Sequence, residues 1–172
     1  VAPPHLYADG TTFFLNRLNR LGFFAFDQPL LFAQLISQFP LVLALQLGER
    51  HLSSLGLIYS ASLLGIPGAI WLAAAGLQFR QAWFWQVVAA YSIVFLPGSL
   101  FAIGEYNLCF AINALILSLL LLPGIALWSS ILIAALAFVN AFTYEANLIL
   151  APLVILLIQW KLRAQSKPMR LA

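Results

Sequence analysis

Residues Leu55–Leu77 read L-G-L-I-Y-S-A-S-L-L-G-I-P-G-A-I-W-L-A-A-A-G-L and contain no charged side chain. About 20 consecutive apolar residues suffice for a helix that crosses the hydrocarbon core of a bilayer, so this stretch predicts a membrane span. The composition agrees, because only 8% of the 172 residues are charged and the mean hydropathy is +0.99. Soluble domains average about 25% charged residues. The sequence therefore predicts an all-α integral membrane protein.

Four more apolar stretches follow the first one and are separated by short polar joints. They are Trp83–Ile103, Leu108–Leu122, Ile125–Val139 and Leu148–Trp160. Together the five stretches predict a transmembrane helical domain over residues 54–160, with about five spans. The last twelve residues, 161–172, are predicted to form a basic cytoplasmic tail. The only cysteine, Cys109, lies inside an apolar stretch and is predicted to be a small packed core residue.

The first 53 residues predict an external loop with interfacial helices. Thr11–Phe24 places apolar and polar residues at helical spacing, which is typical of a helix lying in the membrane interface. Leu30–Leu47 is apolar but interrupted by three glutamines and a proline, and Gln34 and Gln38 share one helical face. Its length permits a span, whereas its amides and Pro40 favour a helix that is interfacial or buried against protein.

The positions of the charges predict the topology. Four basic residues end the chain, and the positive-inside rule places such a cluster in the cytoplasm; they are Lys161, Arg163, Lys167 and Arg170. Counting back through the spans puts Arg80 on the same side and puts Glu105 and Glu145 outside. If Leu30–Leu47 does not span, all five acids face outside. If it does span, Asp9 becomes cytoplasmic, an option that the positive-inside rule alone favours. We expect a multi-pass protein of a bacterial inner membrane.

An ordered series of short motifs runs through Tyr7–Leu122. It comprises Y-A-D-G-T-T-F-F at Tyr7–Phe14, Q-P-L-L-F-A-Q-L at Gln28–Leu35, L-A-L-Q-L-G at Leu43–Gly48, Q-F-R-Q at Gln78–Gln81 and L-P-G-S-L-F-A-I-G-E-Y-N-L at Leu96–Leu108. This order resembles the N-terminal half of the GT-C class of membrane glycosyltransferases. That class includes the protein O-mannosyltransferases and the aminoarabinose transferases of lipid A. The resemblance covers about two-thirds of the chain and implies a further span before Val1.

The resemblance implies transfer of a sugar from a polyprenyl-phosphate carrier at the external or periplasmic face. Asp9 is the expected base or acceptor-orienting acid, and Glu105 is a second polar contact at the same face. Arg17 and Arg20 are expected to contact the donor phosphate, because guanidinium groups suit phosphate oxygens. Glu145 is a third external acid and a further substrate contact. No cofactor is identified; a divalent metal between Asp9 and Glu105 stays open.

Each of these residues also has a purely structural interpretation. Asp9 precedes Gly10 in a dipeptide that is typical of turns. Glu105 and Glu145 can be solvated loop residues, and Arg17 and Arg20 can contact lipid headgroups generally. Two features depart from the resembled pattern: Gly10 follows Asp9 where the class often has a second acid, and the second external acid is Glu105 where aspartate is commoner. The first span, the later spans and the soluble C-terminal domain of the class are also missing, so the chain is expected to be a fragment, a degenerate relative or a half-unit of such an enzyme.

A second functional class stays open beside the enzyme. A small hydrophobic chain without a soluble domain is also typical of a non-catalytic accessory or structural subunit of a larger membrane complex. Ala73-Ala74-Ala75-Gly76 offers a surface of small residues that a partner helix can approach closely. The expected partners are the lipid bilayer in either case, the polyprenyl-phosphate sugar donor for an enzyme, and other membrane subunits for an accessory protein. The charge pattern does not favour nucleic-acid binding.

Overall fold

A computed structural model describes residue 15 and residues 30–97, 106–123, 127–144 and 147–166; of residues 148 and 161–166 it describes the backbone alone. Every regular element in these ranges is a helix, which confirms the all-α class. The helices are α1 (Leu31–Gln46), α2 (Leu52–Gln78), α3 (Phe84–Ala90, continued by a π turn over Tyr91–Phe95), α4 (Tyr106–Leu121), α5 (Leu127–Ala141) and α6 (Asn147–Ser166). Leu15 is helical, and the rest of the interfacial helix predicted over Thr11–Phe24 lies outside the described residues.

Helices α1 and α2 form an antiparallel hairpin. Their cores meet through Leu41 and Leu45 of α1 and Leu55, Tyr59 and Leu63 of α2, all of them buried. The Ser62 hydroxyl also donates a hydrogen bond of 2.6 Å to the Ser37 carbonyl across the pair. Glutamines 34 and 38 are both 1% exposed, which confirms that they share one face and shows that this face is buried against protein.

The connection between α1 and α2 is a Schellman turn. Gly48 has φ +93°, its N–H donates to the Leu45 carbonyl, and the N–H of Glu49 donates to the Ala44 carbonyl. These two bonds satisfy carbonyls that the end of α1 would otherwise leave open. The Glu49 carboxylate then accepts hydrogen bonds from the backbone N–H groups of Arg50 and His51, at 2.9 and 2.8 Å, where α2 begins.

Helix α4 runs parallel to the second half of α2. Ile66 of α2 and Leu108 of α4 line one small cavity together with Ala33 of α1. Further along both helices, the Gln78 amide of α2 donates a 2.7 Å hydrogen bond to the Ser118 carbonyl of α4. Helix α4 also packs against α3, α5 and α6 and carries much of the largest apolar cluster. It is therefore the central helix of a bundle to which α2 contributes its C-terminal half.

The bundle has two chemically different ends. At the first, which we call the tyrosine end, the Phe32 N–H donates to the Phe142 carbonyl at 3.1 Å, and the rings of Tyr106 and Tyr144 lie 6.2 Å apart. At the second, which we call the basic end, Trp83 and Trp160 line one cavity. Arg80 precedes Trp83 by three residues, and the last turns of α6, residues 161–166, follow Trp160 directly.

Only α2, with 27 residues, is both long enough and apolar enough to cross a membrane among the described helices. The other apolar helices are shorter. They are Leu31–Gln46, Phe84–Phe95, Tyr106–Leu121, Leu127–Ala141 and Ile149–Trp160. A 16-residue helix is about 24 Å long, and the hydrocarbon core of a bilayer is about 30 Å thick. Within the described residues, each predicted apolar stretch is thus confirmed to form a helix, while length alone supports one span.

We predict that Gly48→Ala destabilises the fold and that Gly65→Ala does not. An L-residue at the left-handed position of Gly48 costs about 1–2 kcal/mol, although no atom lies within 4 Å of the added Cβ. Gly65 is an exposed position inside α2 where the Cβ also meets nothing, and alanine is the better helix former there. Denaturant unfolding of the detergent-solubilised chain measures both variants. Equal stability of the two variants would contradict the Schellman turn.

Candidate functional site

The five residues that the sequence proposes for the site lie outside the described residues. They are Asp9, Arg17, Arg20, Glu105 and Glu145. Two of them have described chain neighbours, because Tyr106 follows Glu105 and Tyr144 precedes Glu145. The two tyrosine rings lie 6.2 Å apart with an angle of 60° between their planes. The described chain neighbours of Glu105 and Glu145 therefore lie together at the tyrosine end.

The most concentrated polar site of the described chain is a group of three asparagines, which we call the amide cluster. It joins α4, α5 and α6 through Asn113, Asn140 and Asn147. The Asn147 side-chain oxygen accepts from the Asn140 amide at 3.1 Å and from the Asn113 amide at 3.4 Å. Asn140 is 1% exposed and Asn113 is 7% exposed, so these bonds are largely shielded from solvent. Each bond between two helices fixes their rotation relative to one another.

The amide cluster also contacts Cys109, one turn earlier on α4. The Asn113 amide also donates to the Cys109 carbonyl at 3.1 Å and approaches the Cys109 sulfur at 3.6 Å. Cys109 is fully buried and its thiol is free, which confirms its prediction as a core residue. On α5 the buried Thr143 hydroxyl donates to the Val139 carbonyl at 2.8 Å. The polar groups here are thus neutral amides, a hydroxyl and a thiol.

Some buried polar atoms near the tyrosine end have no hydrogen-bond partner. They are the Asn140 side-chain oxygen and both side-chain polar atoms of Asn107, which is 1% exposed. A buried polar atom left without a partner costs about 1–3 kcal/mol. Such atoms are suited to hold a small neutral polar group such as a hydroxyl or a water molecule. Among the described residues no group of three or more His, Cys, Asp or Glu is placed to hold a metal ion.

A second polar contact lies near the basic end. Gln78 is fully buried and its amide binds the Ser118 carbonyl of α4, while the Gln78 side-chain oxygen and the Ser118 hydroxyl have no partner. Sequence reasoning named Gln78 only as part of the Q-F-R-Q motif between two spans, and it did not single out Ser118 or Asn113. The available signal was an amide or hydroxyl inside an apolar run, because a polar group in such a run needs a partner on another helix.

The comparisons with known proteins give no relative. No protein-family model matches the chain, and no curated protein and no solved structure is significantly similar to it. The all-helical fold and the polar sites described above are therefore the observations on which a function has to be proposed.

We predict that Asn147→Leu lowers the free energy of unfolding by about 1 kcal/mol, because it removes the acceptor shared by Asn113 and Asn140. Side-chain hydrogen bonds between helices in membrane proteins contribute about 0.6 kcal/mol each on average. Gln46→Leu is the matched control, since Gln46 is an exposed amide at the end of α1. Denaturant unfolding in detergent compares the two. A loss no greater than that of the control would show that the amide cluster does not stabilise the bundle.

Proposed function

We propose that the chain is a multi-pass membrane domain, with the tyrosine end at the external face and the basic end in the cytoplasm. The outer surfaces of α5 and α6 support a lipid environment, because large apolar side chains are widely exposed there. They include Leu127, Trp128, Ile131, Phe138, Ile149, Leu153, Leu156 and Trp160. A contiguous apolar surface of this extent is unusual on a monomeric soluble protein.

Two effects make the short helices compatible with a membrane. Local thinning of the bilayer and interfacial flanking residues both reduce the mismatch between a helix of about 24 Å and a core of about 30 Å. Tryptophans favour the membrane–water interface, and Trp83 and Trp160 lie together at the basic end. Arg80 and residues 161–166 then fall on the cytoplasmic side, in agreement with the positive-inside rule.

Within this topology we propose that the chain is a module of a GT-C-like glycosyltransferase. The observation that carries the proposal is the convergence at the tyrosine end, where Tyr106 and Tyr144 bring the chain beside both Glu105 and Glu145. The start of α1 reaches the same end through the Phe32–Phe142 hydrogen bond. The predicted external loop, which precedes α1, therefore enters the described structure there.

The reaction is a displacement at the anomeric carbon of a polyprenyl-phosphate-linked sugar. The acceptor hydroxyl or amine forms the new bond to that carbon, the bond from the carbon to the phosphate oxygen breaks, and the polyprenyl phosphate leaves with the bonding electrons. Asp9 takes the proton that the acceptor loses, or orients the acceptor. Arg17 and Arg20 contact the phosphate, and Glu105 and Glu145 contact the sugars.

A second candidate function is that of an accessory subunit in a larger membrane complex. It is favoured by the surface of α2, where Ala73 and Gly76 are exposed at a spacing of three residues. Small residues on a membrane helix let another helix approach closely, so this surface suits a partner helix. The two functions differ in whether the external acids form one site.

The topology is tested by cysteine accessibility in intact cells. In a Cys109→Ala background, single cysteines replace Asp9, Arg80 and Glu105. We expect an impermeant thiol reagent to label positions 9 and 105 from outside and to leave position 80 protected. Protection of position 9 with labelling of position 105 would mean that α1 crosses the membrane, would exclude a shared external site, and would favour the accessory subunit.

The chemistry is tested with membranes that contain the full chain and a panel of polyprenyl-phosphate sugars. We predict that Asp9→Asn lowers the rate of sugar transfer at least about 100-fold, the lower range for loss of a general base. Asp27→Asn is the control, because Asp27 is another acid that the topology places outside but that has no assigned role. Equal rates for the two variants would show that Asp9 does not act in the reaction.

A further inference from the structure

A long apolar groove runs along one face of α4, between α3 and α6. Its upper part is a cavity of about 290 Å³ lined by residues such as Val87 and Val94 of α3, Phe110 and Leu117 of α4, and Leu150 of α6. Its lower part is a cavity of about 180 Å³ that reaches the basic end between Trp83 and Trp160. The two cavities share Trp83, Leu117 and Leu121, so they form one groove.

The dimensions of the groove decide what can occupy it. From Phe110 to Leu121 the upper cavity follows α4 for about 16 Å at 1.5 Å per residue. Nearly all of the side chains that line the groove are apolar. Its length and apolar lining suit an extended hydrocarbon chain.

The charges around the groove indicate which headgroup belongs to that chain. The mouth at the basic end is flanked by the exposed Arg80 and by α6 residues 161–166, which include Lys161 and Arg163. The one carboxylate among the described residues, Glu49, lies in the connection between α1 and α2, away from this end. Basic pockets between helices on the cytoplasmic side of a membrane are typical sites for anionic lipid headgroups.

The tryptophans at the mouth match a phospholipid in this orientation. Trp83 and Trp160 line the lower cavity at the basic end, and tryptophan prefers the depth of the lipid headgroups.

We propose that the groove between α3, α4 and α6 binds one anionic phospholipid of the cytoplasmic leaflet, with its headgroup at Arg80 and one acyl chain along α4. This site rests on the membrane topology proposed above, but it does not depend on glycosyl transfer. The proposed headgroup position is at the end of the bundle opposite the proposed sugar site.

The test uses the full chain in nanodiscs of equal parts phosphatidylglycerol and phosphatidylcholine, followed by native mass spectrometry of the lipid that each chain retains. We expect one phosphatidylglycerol to be retained in preference to phosphatidylcholine. Ala114→Phe fills the groove and should abolish this retention, whereas Ala135→Phe, on the exposed face of α5, should preserve it. Arg80→Gln should reduce the preference for phosphatidylglycerol about fivefold, and Arg50→Gln, an exposed arginine far from the basic end, should not.

A second measurement leaves the groove residues unchanged. Trp85→Phe with Trp128→Phe removes two exposed tryptophans that lie outside the groove lining, and the remaining Trp71, Trp83 and Trp160 all line the groove. Phosphatidylglycerol with brominated acyl chains should then quench the fluorescence more than brominated phosphatidylcholine at the same mole fraction.

Three results would overturn the lipid site. They are equal retention in Ala114→Phe and Ala135→Phe, equal retention or quenching by the two phospholipids, or a protein instead of a lipid held by the chain. Loss of sugar transfer in Asp9→Asn with lipid retention intact would show that the lipid site is independent of the sugar site. Labelling of position 80 from outside the cell would contradict the topology on which the lipid site rests.

Discussion

The continuity of α2 is the constraint on which the rest of the structure depends. Its 27 residues give a rod of about 40 Å, which is longer than any neighbouring helix. The first half of α2 packs against α1 through the cluster around Tyr59, and the second half packs against α4 and α3. The helix continues through Pro67, so the hairpin and the bundle share one rigid element. A break in α2 would separate the two halves of the structure.

Buried polar contacts then fix how the helices are rotated around this rod. Apolar packing alone allows a helix in lipid to turn about its axis at little cost, because its side chains are as stable against lipid as against protein. A hydrogen bond between side chains removes that freedom. Gln78 sets α4 against α2, and the amide cluster sets α5 and α6 against α4. Each of these contacts is therefore more important for the specificity of the arrangement than for total stability.

Much of the fold could be predicted from the sequence, because the near absence of charge within each apolar stretch marks a helix directly. The same was true of Cys109 and of the shared face of Gln34 and Gln38, both of which follow from position and helical period. The amide cluster could not be predicted, since it depends on the rotation of three helices around one another. The predicted stretch Trp83–Ile103 is helical from Phe84 to Pro97, and its remaining residues lie outside the described chain. The proposed acids stay a prediction, because they lie outside the described residues.

The chemical difference between the two ends has a consequence for any lipid-linked substrate. A phosphate is attracted to nearby cations, and the described arginine of the bundle, Arg80, is at the basic end, far from the tyrosine end. A donor phosphate at the external face therefore depends on cations from residues 1–53, where we propose Arg17 and Arg20 as its contacts; Arg50, in the connection between α1 and α2, belongs to the same region. The lipid groove and the proposed sugar site would then draw on separate sets of cations and separate leaflets. A resident phospholipid at the basic end would also fill the groove between α3 and α6, and so would stabilise the bundle next to the proposed external site.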